Sequence, residues 1–388
     1  MLNTYFADLH IHIGRDIYDK PVKITASKNL TLTNILIEAS RRKGIHIIGI
    51  IDCQSPAVQE EIRLLIEQKK AYPLQDGGIR FENVTLLLGA EIEVYDEYCQ
   101  GPIHVLCYLP TLEAIEQFTE WLALRMKNIS LSSQRYYGQA TELQVKVKQL
   151  DGLFIPAHVF TPFKSVYGKG VQQSIAEILD VTKIDAIELG LSSDPSMADQ
   201  IKELHPYTYV ANSDSHSLAK IAREYQQIKL KEPTFEELRK ALLKKDGRKI
   251  LAYYGMNPKL GKYYSTVCKQ CLEKVPYKTK ECPHCRAKNI INGVYDRIKE
   301  LKNTNEKPKR PDYFYQVPLE YLPGLGKKTF EKLLDHFGTE MNVIHHVPVE
   351  KLRDVIPAKL ATLIYEMREG RQRITAGGGG TYGKISEN

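Results

Sequence analysis

Ionisable residues recur at or near the C-terminal ends of successive apolar runs in the first 250 residues: His10 and His12, Asp52, Glu91, His104, His158, Asp214 and His216. Singly, each has a dull explanation. His104 fits a core histidine bonded to backbone, and Asp52 fits a helix N-cap. Spread over successive strands, they require a fold that gathers strand ends, and a parallel α/β barrel places those ends on one rim. The set begins almost at the N-terminus, with Asp8-Leu9-His10-Ile11-His12. Histidines at i and i+2 on a strand point to the same side. Two imidazoles so placed reach one metal ion, while Leu9 and Ile11 face the packing.

The hydrophobic pattern supports that architecture. Strands are predicted at 5–10, 45–52, 84–94, 103–108, 153–158, 186–189 and 207–214. Helices are predicted at 31–42, 58–69, 113–126, 171–179, 197–204 and 235–243. This alternation implies parallel pairing, and about seven strands favour closure into a barrel. At 388 residues the chain exceeds one typical domain. It contains no run of 18 apolar residues and no basic-then-apolar leader, so no membrane span or secretory signal is expected and the expected compartment is the cytoplasm.

Charge divides the chain unevenly. Residues 1–250 carry 30 Lys and Arg against 32 Asp and Glu, whereas residues 251–388 carry 24 against 15. A basic C-terminal third suggests a polyanionic partner. Four of the seven cysteines, Cys268, Cys271, Cys282 and Cys285, form two Cys-x-x-Cys pairs ten residues apart. That spacing is a strong signal for a tetrahedral structural zinc site. A module this small draws much of its stability from the metal. Tyrosines 253, 254, 263, 264, 277 and 295 surround it, and aromatic faces beside basic groups suit splayed bases.

Residues 1–250 resemble the PHP family, the polymerase and histidinol phosphatase metal-dependent phosphoesterases. The resemblance rests on Asp8-Leu9-His10-Ile11-His12, Gly89-Ala90-Glu91, His104, Pro156-Ala157-His158 and Ser213-Asp214-Ser215-His216. It implies a distorted seven-stranded (β/α) barrel with two or three divalent metals. By motif, His10, His12, Glu91 and Asp214 hold one ion. Glu91, His104 and His158 hold a second, and His216 helps hold a third. Among these, Asp214, His10, His12 and Glu91 are the expected catalytic residues. Glu93 faces the same way as Glu91 and is the alternative bridge, though the Gly-Ala-Glu register favours Glu91. The chain departs from the pattern at Ile51-Asp52-Cys53, where many members have Thr-Asp-His. A Cys53 thiolate or Asp52 then remains for the third metal. The histidine and carboxylate mixture suits Zn, Mn or Fe better than Mg alone. Such ions activate water and clamp a phosphoryl group, and no P-loop or nucleophile elbow is present.

The loops after two ligand-bearing strands are basic and aromatic. Residues 14–29 carry Arg15, Lys20, Lys23 and Lys28, and residues 160–170 carry Phe160, Lys164, Tyr167 and Lys169. Lys164, Tyr167 and Lys169 are expected DNA contacts, and Tyr167, Tyr253 and Tyr263 are candidates to stack on a base. Residues 302–311 read as a linker. Beyond it, Pro323-Gly324-Leu325-Gly326-Lys327 reads as the turn of a helix–turn–helix over 319–338. It resembles a helix-hairpin-helix element, in which Gly324, Gly326, Lys327 and Lys328 grip a DNA backbone. Residues 348–370 resemble a diverged second half, and 377–380 a glycine-rich tail.

The expected domains are therefore a PHP barrel at 1–250, a zinc module at 251–301 and a helix-hairpin-helix-like region at 312–388. In this order they resemble the endonuclease Q family across nearly the full chain. That resemblance implies a DNA repair nuclease acting on uracil, hypoxanthine, xanthine and abasic sites and cutting on their 5′ side. Damaged DNA is the expected partner, and any replication or repair protein partner is unidentified. A phosphatase of small phosphate monoesters explains the barrel but leaves the zinc module and basic tail without a task. A catalytically inactive PHP binding module conflicts with the nearly complete ligand set.

Overall fold

The computed structural model describes residues 1–370 and the backbone of Arg373–Thr375 and Lys384–Ser386, which pair antiparallel; the 377–380 run lies outside the described residues. The apolar, β-branched runs of the first half form β1 (Asn3–Ile11), β2 (Ile47–Ile50), the hairpin β3 (Ala71–Pro73) and β4 (Ile79–Phe81), and β5 (Val84–Val94). Then follow β6 (Ile103–Leu109), β7 (Arg135–Tyr136), β8 (Leu153–Pro156), β9 (Ile187–Glu188) and β10 (Tyr209–Val210).

Seven of these close a ring. β1 pairs parallel with β2, and β2 with β5. β5 pairs antiparallel with β6, and β6 with β8. The Asp185 amide donates to Phe154 O, which brings β9 beside β8, and β9 pairs parallel with β10. The segment after β10 returns to β1 through Ser215, whose amide donates to His10 O while its carbonyl accepts from the His12 amide. Close approach inside the ring needs a small residue at Gly49, where a Cβ would stand 2.3 Å from Leu9 O.

The expected all-parallel pairing fails at β6 alone. The eight residues between β5 and β6 hold no helix, so the chain turns back directly and β6 runs antiparallel. His104 therefore reaches the rim from the start of its strand, not from a C-terminal end.

The helices over the barrel are α1 (Leu32–Ile37), continued by a π-helical stretch Glu38–Lys43, α2 (Pro56–Glu67), α3 (Leu112–Ala123) and α4 (Ala140–Gln149). Thr111 caps α3 by accepting from the Ala114 amide. The predicted 171–179 helix shrinks to a 3-10 turn, Ile175–Glu177, because Glu177 accepts from the amides of Gln172, Gln173 and Ser174 in a capping box. The predicted 197–204 helix splits into α5 (Pro195–Ala198) and a 3-10 turn, Lys202–Leu204. α6 (Phe235–Leu242) completes the barrel.

Three further strands extend the sheet outward from β1: β11 (Tyr225–Leu230), β12 (Lys249–Gly255) and, beyond the zinc module, β15 (Asp312–Tyr315). Residue 250 thus lies inside β12, and the chain rejoins the same sheet at residue 312. Between them β13 (Val267–Cys268) and β14 (Ile290–Ile291) form a ribbon around a small apolar cluster of Cys268, Val275 and Cys282. α7 (Val294–Leu301) follows. Its Arg297 donates to the carbonyls of Tyr167, Val171 and Gln172 and so ties the module to the barrel rim.

The last described helices are α8 (Lys327–Phe337), α9 (Glu340–His345), α10 (Val349–Val355) and α11 (Ala358–Arg368). Before α8 the predicted first helix is a single 3-10 turn, Leu319–Tyr321. Their apolar faces join the barrel core as one continuous cluster. Among the described residues no helix is long and apolar enough to cross a membrane.

Candidate active site

The rim gathers two triads of ligand-type atoms. His10, His12 and Asp214 form one, Glu91, His104 and His158 the other, each with its three atoms within 4.8 Å of one another. Glu91 stands between them. Its Oε1 lies 2.8 Å from His104 Nδ1, 3.3 Å from His158 Nε2 and 3.6 Å from His10 Nε2, and its Oε2 lies 3.6 Å from His12 Nε2. Asp214 Oδ1 lies 3.5 Å from His10 Nε2, 3.6 Å from His12 Nε2 and 3.4 Å from His216 Nε2. Apart from the 2.8 Å hydrogen bond between Glu91 and His104, these spacings are long for hydrogen bonds. They match donors that surround one ion: ligand atoms ~2.1 Å from a tetrahedral metal sit ~3.4 Å apart. His10 Nε2 is buried and has no hydrogen-bond partner, which fits an atom reserved for a metal.

The electrostatics point the same way. Burial lowers the His10 pKa, but the carboxylates of Glu188, Asp214 and Glu91 push it up to about 10. Burial would raise Glu91, yet the charges of His104 and Lys23 hold it well below the usual carboxylate range. The pocket concentrates negative charge in a buried place, which a divalent cation would balance. Backbone strain accompanies it: His158 and Asp214 both take positive φ, 29° and 45°. Arg223 holds the second of these by donating to Ser213 O and Asp214 O. Asp8 supports the same turn, accepting from the Ser213 and Ala222 amides.

Several residues stand behind the triads. His10 Nδ1 lies 2.9 Å and 3.1 Å from the two oxygens of Glu188, which also accepts from the His158 amide and from Asn212. His12 Nδ1 lies 3.2 Å from Asp52 Oδ2, and Asp52 also accepts from the Ile13 amide. These carboxylates fix the ring orientation of the histidines in front of them. Asp52, expected as an alternative ligand of the third ion, is engaged with His12 Nδ1 and the Ile13 amide and belongs to neither triad. Cys53 is likewise displaced. Its fully buried thiol donates to Ile50 O and belongs to neither triad, and burial pushes its pKa up. Glu93 pairs with Lys164 at 2.7 Å and is only half-buried, which leaves Glu91 as the central carboxylate.

Glu188 escaped the sequence reading, as did Ser132, beside His12 Nδ1, and Ser133, which donates to Glu91. For Glu188 a signal existed: a lone carboxylate inside the apolar run Ala186-Ile187-Glu188-Leu189. Ser132 and Ser133 lie in an irregular segment that carries no pattern. Lys23, expected as a loop cation, turns inward, with Nζ 3.2 Å from Glu91 Oε2 and 2.6 Å from Ser133 Oγ.

Two tyrosines expected to meet a base are core residues. Tyr167 is buried, stacks on the equally buried Phe160 and donates to Glu203. Tyr253 is buried and donates to Tyr209 O. Tyr263 does lie at the site, lining a cavity of about 490 Å³ with His158, Asp214, His216, Lys220 and Lys262. A wider cleft of about 950 Å³ separates the 160–173 loop from the zinc module and α7, and Lys169, Lys278, Arg297 and Lys302 line it.

In the zinc module, Cys268 and Cys285 Sγ are 3.6 Å apart, and Cys271 and Cys282 Sγ 3.7 Å apart. All four thiols are unbridged and lie within 4.8 Å of one another. Four sulfurs ~2.3 Å from a tetrahedral zinc would be ~3.8 Å apart. Gly324, with φ 80°, turns the chain before α8, and Gly326 stands at the N-cap with open space where a Cβ would be. Lys327 and Lys328 are exposed there.

No protein-family model matches the chain. The uncharacterized Bacillus subtilis protein YqxK is 51% identical over 385 residues, which is 99% of this chain and 100% of that protein. The crystal structure of the lesion-specific endonuclease PfuEndoQ from Pyrococcus furiosus is 34% identical and superposes with a TM-score of 0.85, covering 99% of this chain and 95% of that one. Endonuclease Q in complex with a 27-mer duplex bearing an abasic lesion at the active site is also 34% identical, with a TM-score of 0.86 over 100% of this chain and 97% of that one. With 34% identity over nearly the whole of both chains and TM-scores of 0.85 and 0.86, the chain belongs to the endonuclease Q family.

Proposed function

We propose that this protein is a metal-dependent DNA repair endonuclease that nicks the phosphodiester 5′ to uracil, hypoxanthine, xanthine and abasic sites. The observation that carries the reading is Glu91, buried between two ligand triads whose nitrogen and oxygen spacings fit two ions, beside a cavity open to solvent. His10, His12 and Asp214 would hold one ion and His104 and His158 the other, with Glu91 shared and His216 at the margin. Divalent ions held there supply water activation and charge balance on a phosphoryl group. Zn, Mn or Fe suits this donor set.

The chain's own residues do the rest. Glu188 and Asp52 fix the tautomer and angle of His10 and His12, so the reacting groups need no reorganisation. Lys220, Lys262 and Arg223 line the cavity beside Asp214 and favour a phosphate there. The 490 Å³ cavity is roomy enough for an extruded nucleotide. Uracil and hypoxanthine carry a carbonyl where their parents carry an amino group, so a donor in that cavity accepts both lesions and rejects cytosine and adenine. Lys169 in the wide cleft, and Lys327 and Lys328 beside the uncapped start of α8, would hold the flanking backbone. Lys164 joins them only by leaving Glu93.

The test is a nicking assay on end-labelled duplexes carrying uracil, hypoxanthine, an abasic site or no lesion, with and without chelator. Chelator-sensitive nicks 5′ to the lesions alone are expected. Hydrolysis of a small phosphate monoester without any nicking would overturn the reading in favour of a phosphatase.

A further inference from the structure

Phe163 is an exposed aromatic ring beside the candidate site. It lies five residues beyond His158 in sequence, is 48% exposed, and sits on a loop that does not yield. The loop is pinned on both flanks. The His104 amide donates to Lys164 O, Ser165 Oγ to Thr161 O, the Gly168 amide to Ser165 Oγ, and the Tyr167 amide to Val159 O. Phe160 and Tyr167 anchor the loop from inside. A flexible loop could fold such a ring away, since fully burying a phenylalanine is worth about 1.5–3 kcal/mol. This loop instead presents it.

Its place is a partition. Phe163 lines the 950 Å³ cleft, while the edge-to-face partner of its ring, Tyr263 at 5.3 Å and 84°, lines the 490 Å³ cavity beside Asp214. The two rings form an apolar wall between the basic cleft that would carry the duplex and the cavity that would take an extruded nucleotide. Lys164 and Lys169 flank it on the same loop.

We propose that Phe163, braced by Tyr263, is a wedge that enters the base stack at the lesion and fills the gap left when the damaged nucleotide swings into the cavity. Apolar wedges unstack neighbouring bases and offset the cost of opening by stacking in their place. The partner is the base pair next to the lesion, recognised by its exposed π face and not by sequence. Phe163 is a positioning residue, since it touches no reacting atom. The inference rests on the lesion-endonuclease reading above.

The experiment compares the full-length wild type with Phe163→Ala and Phe163→Trp under single-turnover conditions. One substrate holds uracil paired with adenine in a duplex. The other holds the same uracil within a mismatch bubble, where opening is already paid. Phe163→Ala is expected to slow nicking of the paired substrate roughly ten- to a hundredfold, the range of one lost stacking contact, and to leave the bubble substrate within about threefold. Phe163→Trp restores the paired rate. A fluorescent base analogue beside the paired uracil brightens with wild type and stays quenched with Phe163→Ala. Equal loss on both substrates, or none on either, overturns the wedge. A wild type that nicks neither substrate overturns the underlying reading instead, so the two failures are distinct.

Discussion

The histidines of the rim are placed as much by the carboxylates behind them as by their own strands. Glu188 is fully buried, and burial would raise its pKa, but the charge of His10 overturns this and keeps it ionised. Removing that charge while keeping the shape tests its part. Glu188→Gln is expected to weaken binding of the first ion about 10- to 100-fold and to recover much of its nicking when metal is in excess; a metal titration of activity and content reads both. Unchanged affinity would reduce Glu188 to packing. Asp214→Asn, by contrast, is expected to cost several orders of magnitude in nicking with DNA binding largely kept, measured by gel shift alongside turnover. At this scale the sequence speaks through repetition. His10, His12, Glu91, His104, His158 and Asp214 were legible because ligand-type residues kept returning at strand ends, and the structure brings all six to one place. Where Asp52 and Cys53 turn was not legible, because a motif position does not say which ring nitrogen a carboxylate meets or which way a thiol turns. Tyr167 and Tyr253 lie buried in the core, because a large aromatic ring is as readily consumed by packing as offered to a ligand, and sequence alone does not tell the two apart.

Among elements, legibility followed periodicity. β5 matches its predicted bounds because an eleven-residue run, buried at nearly every position, leaves no other choice. α4 carries no strong signal: its buried apolar residues, Ala140, Leu143 and Val147, are sparse among Gln, Lys and Glu, and Val145 faces outward. β11, β12 and β15 were also missed, since they lie outside the ring and their polar faces break the apolar runs. The zinc module was the clearest element of all, because cysteine spacing encodes its geometry directly. Its ribbon has little apolar content to hold it, so a metal held by the four thiols would supply the missing stability. Cys268→Ser is expected to lower zinc content by about one ion per chain, expose 251–300 to protease and weaken lesion binding, while the barrel metals stay. Elemental analysis with limited proteolysis checks this, and undiminished zinc would remove Cys268 from the site. Arg297 makes the loss matter beyond the module, since α7 braces the very loop that carries Phe163.

The whole molecule depends on how the C-terminal helices sit against the barrel, which no sequence pattern revealed. The contact is partly ionic: Lys43 pairs with Glu340 at 2.6 Å in a buried place, and Arg42 pairs with Glu331. At its centre is His345. Its ring stacks on Phe6 of β1 at 4.6 Å, meets Tyr254 of β12 edge-on, and accepts a hydrogen bond from Tyr225 of β11 at 2.6 Å. Burial, with help from His346 and Arg368, pushes its pKa down to about 3. The folded protein therefore keeps His345 neutral where the unfolded chain, titrating near its ordinary value of 6.5, takes up a proton. Stability from this group is complete above about pH 6.5 and declines as pH falls toward about 3. At about pH 5 the loss is on the order of 2 kcal/mol. His345→Gln keeps an acceptor for Tyr225 but cannot titrate. It is expected to be somewhat less stable at neutral pH, having lost the stacked ring, yet to lose less on acidification. Urea midpoints of both proteins between about pH 7 and 5 measure the difference, and the rim histidines, common to both, cancel from it. Parallel pH profiles would mean that His345 is already solvated, and that the helices are not locked to the barrel through this ring.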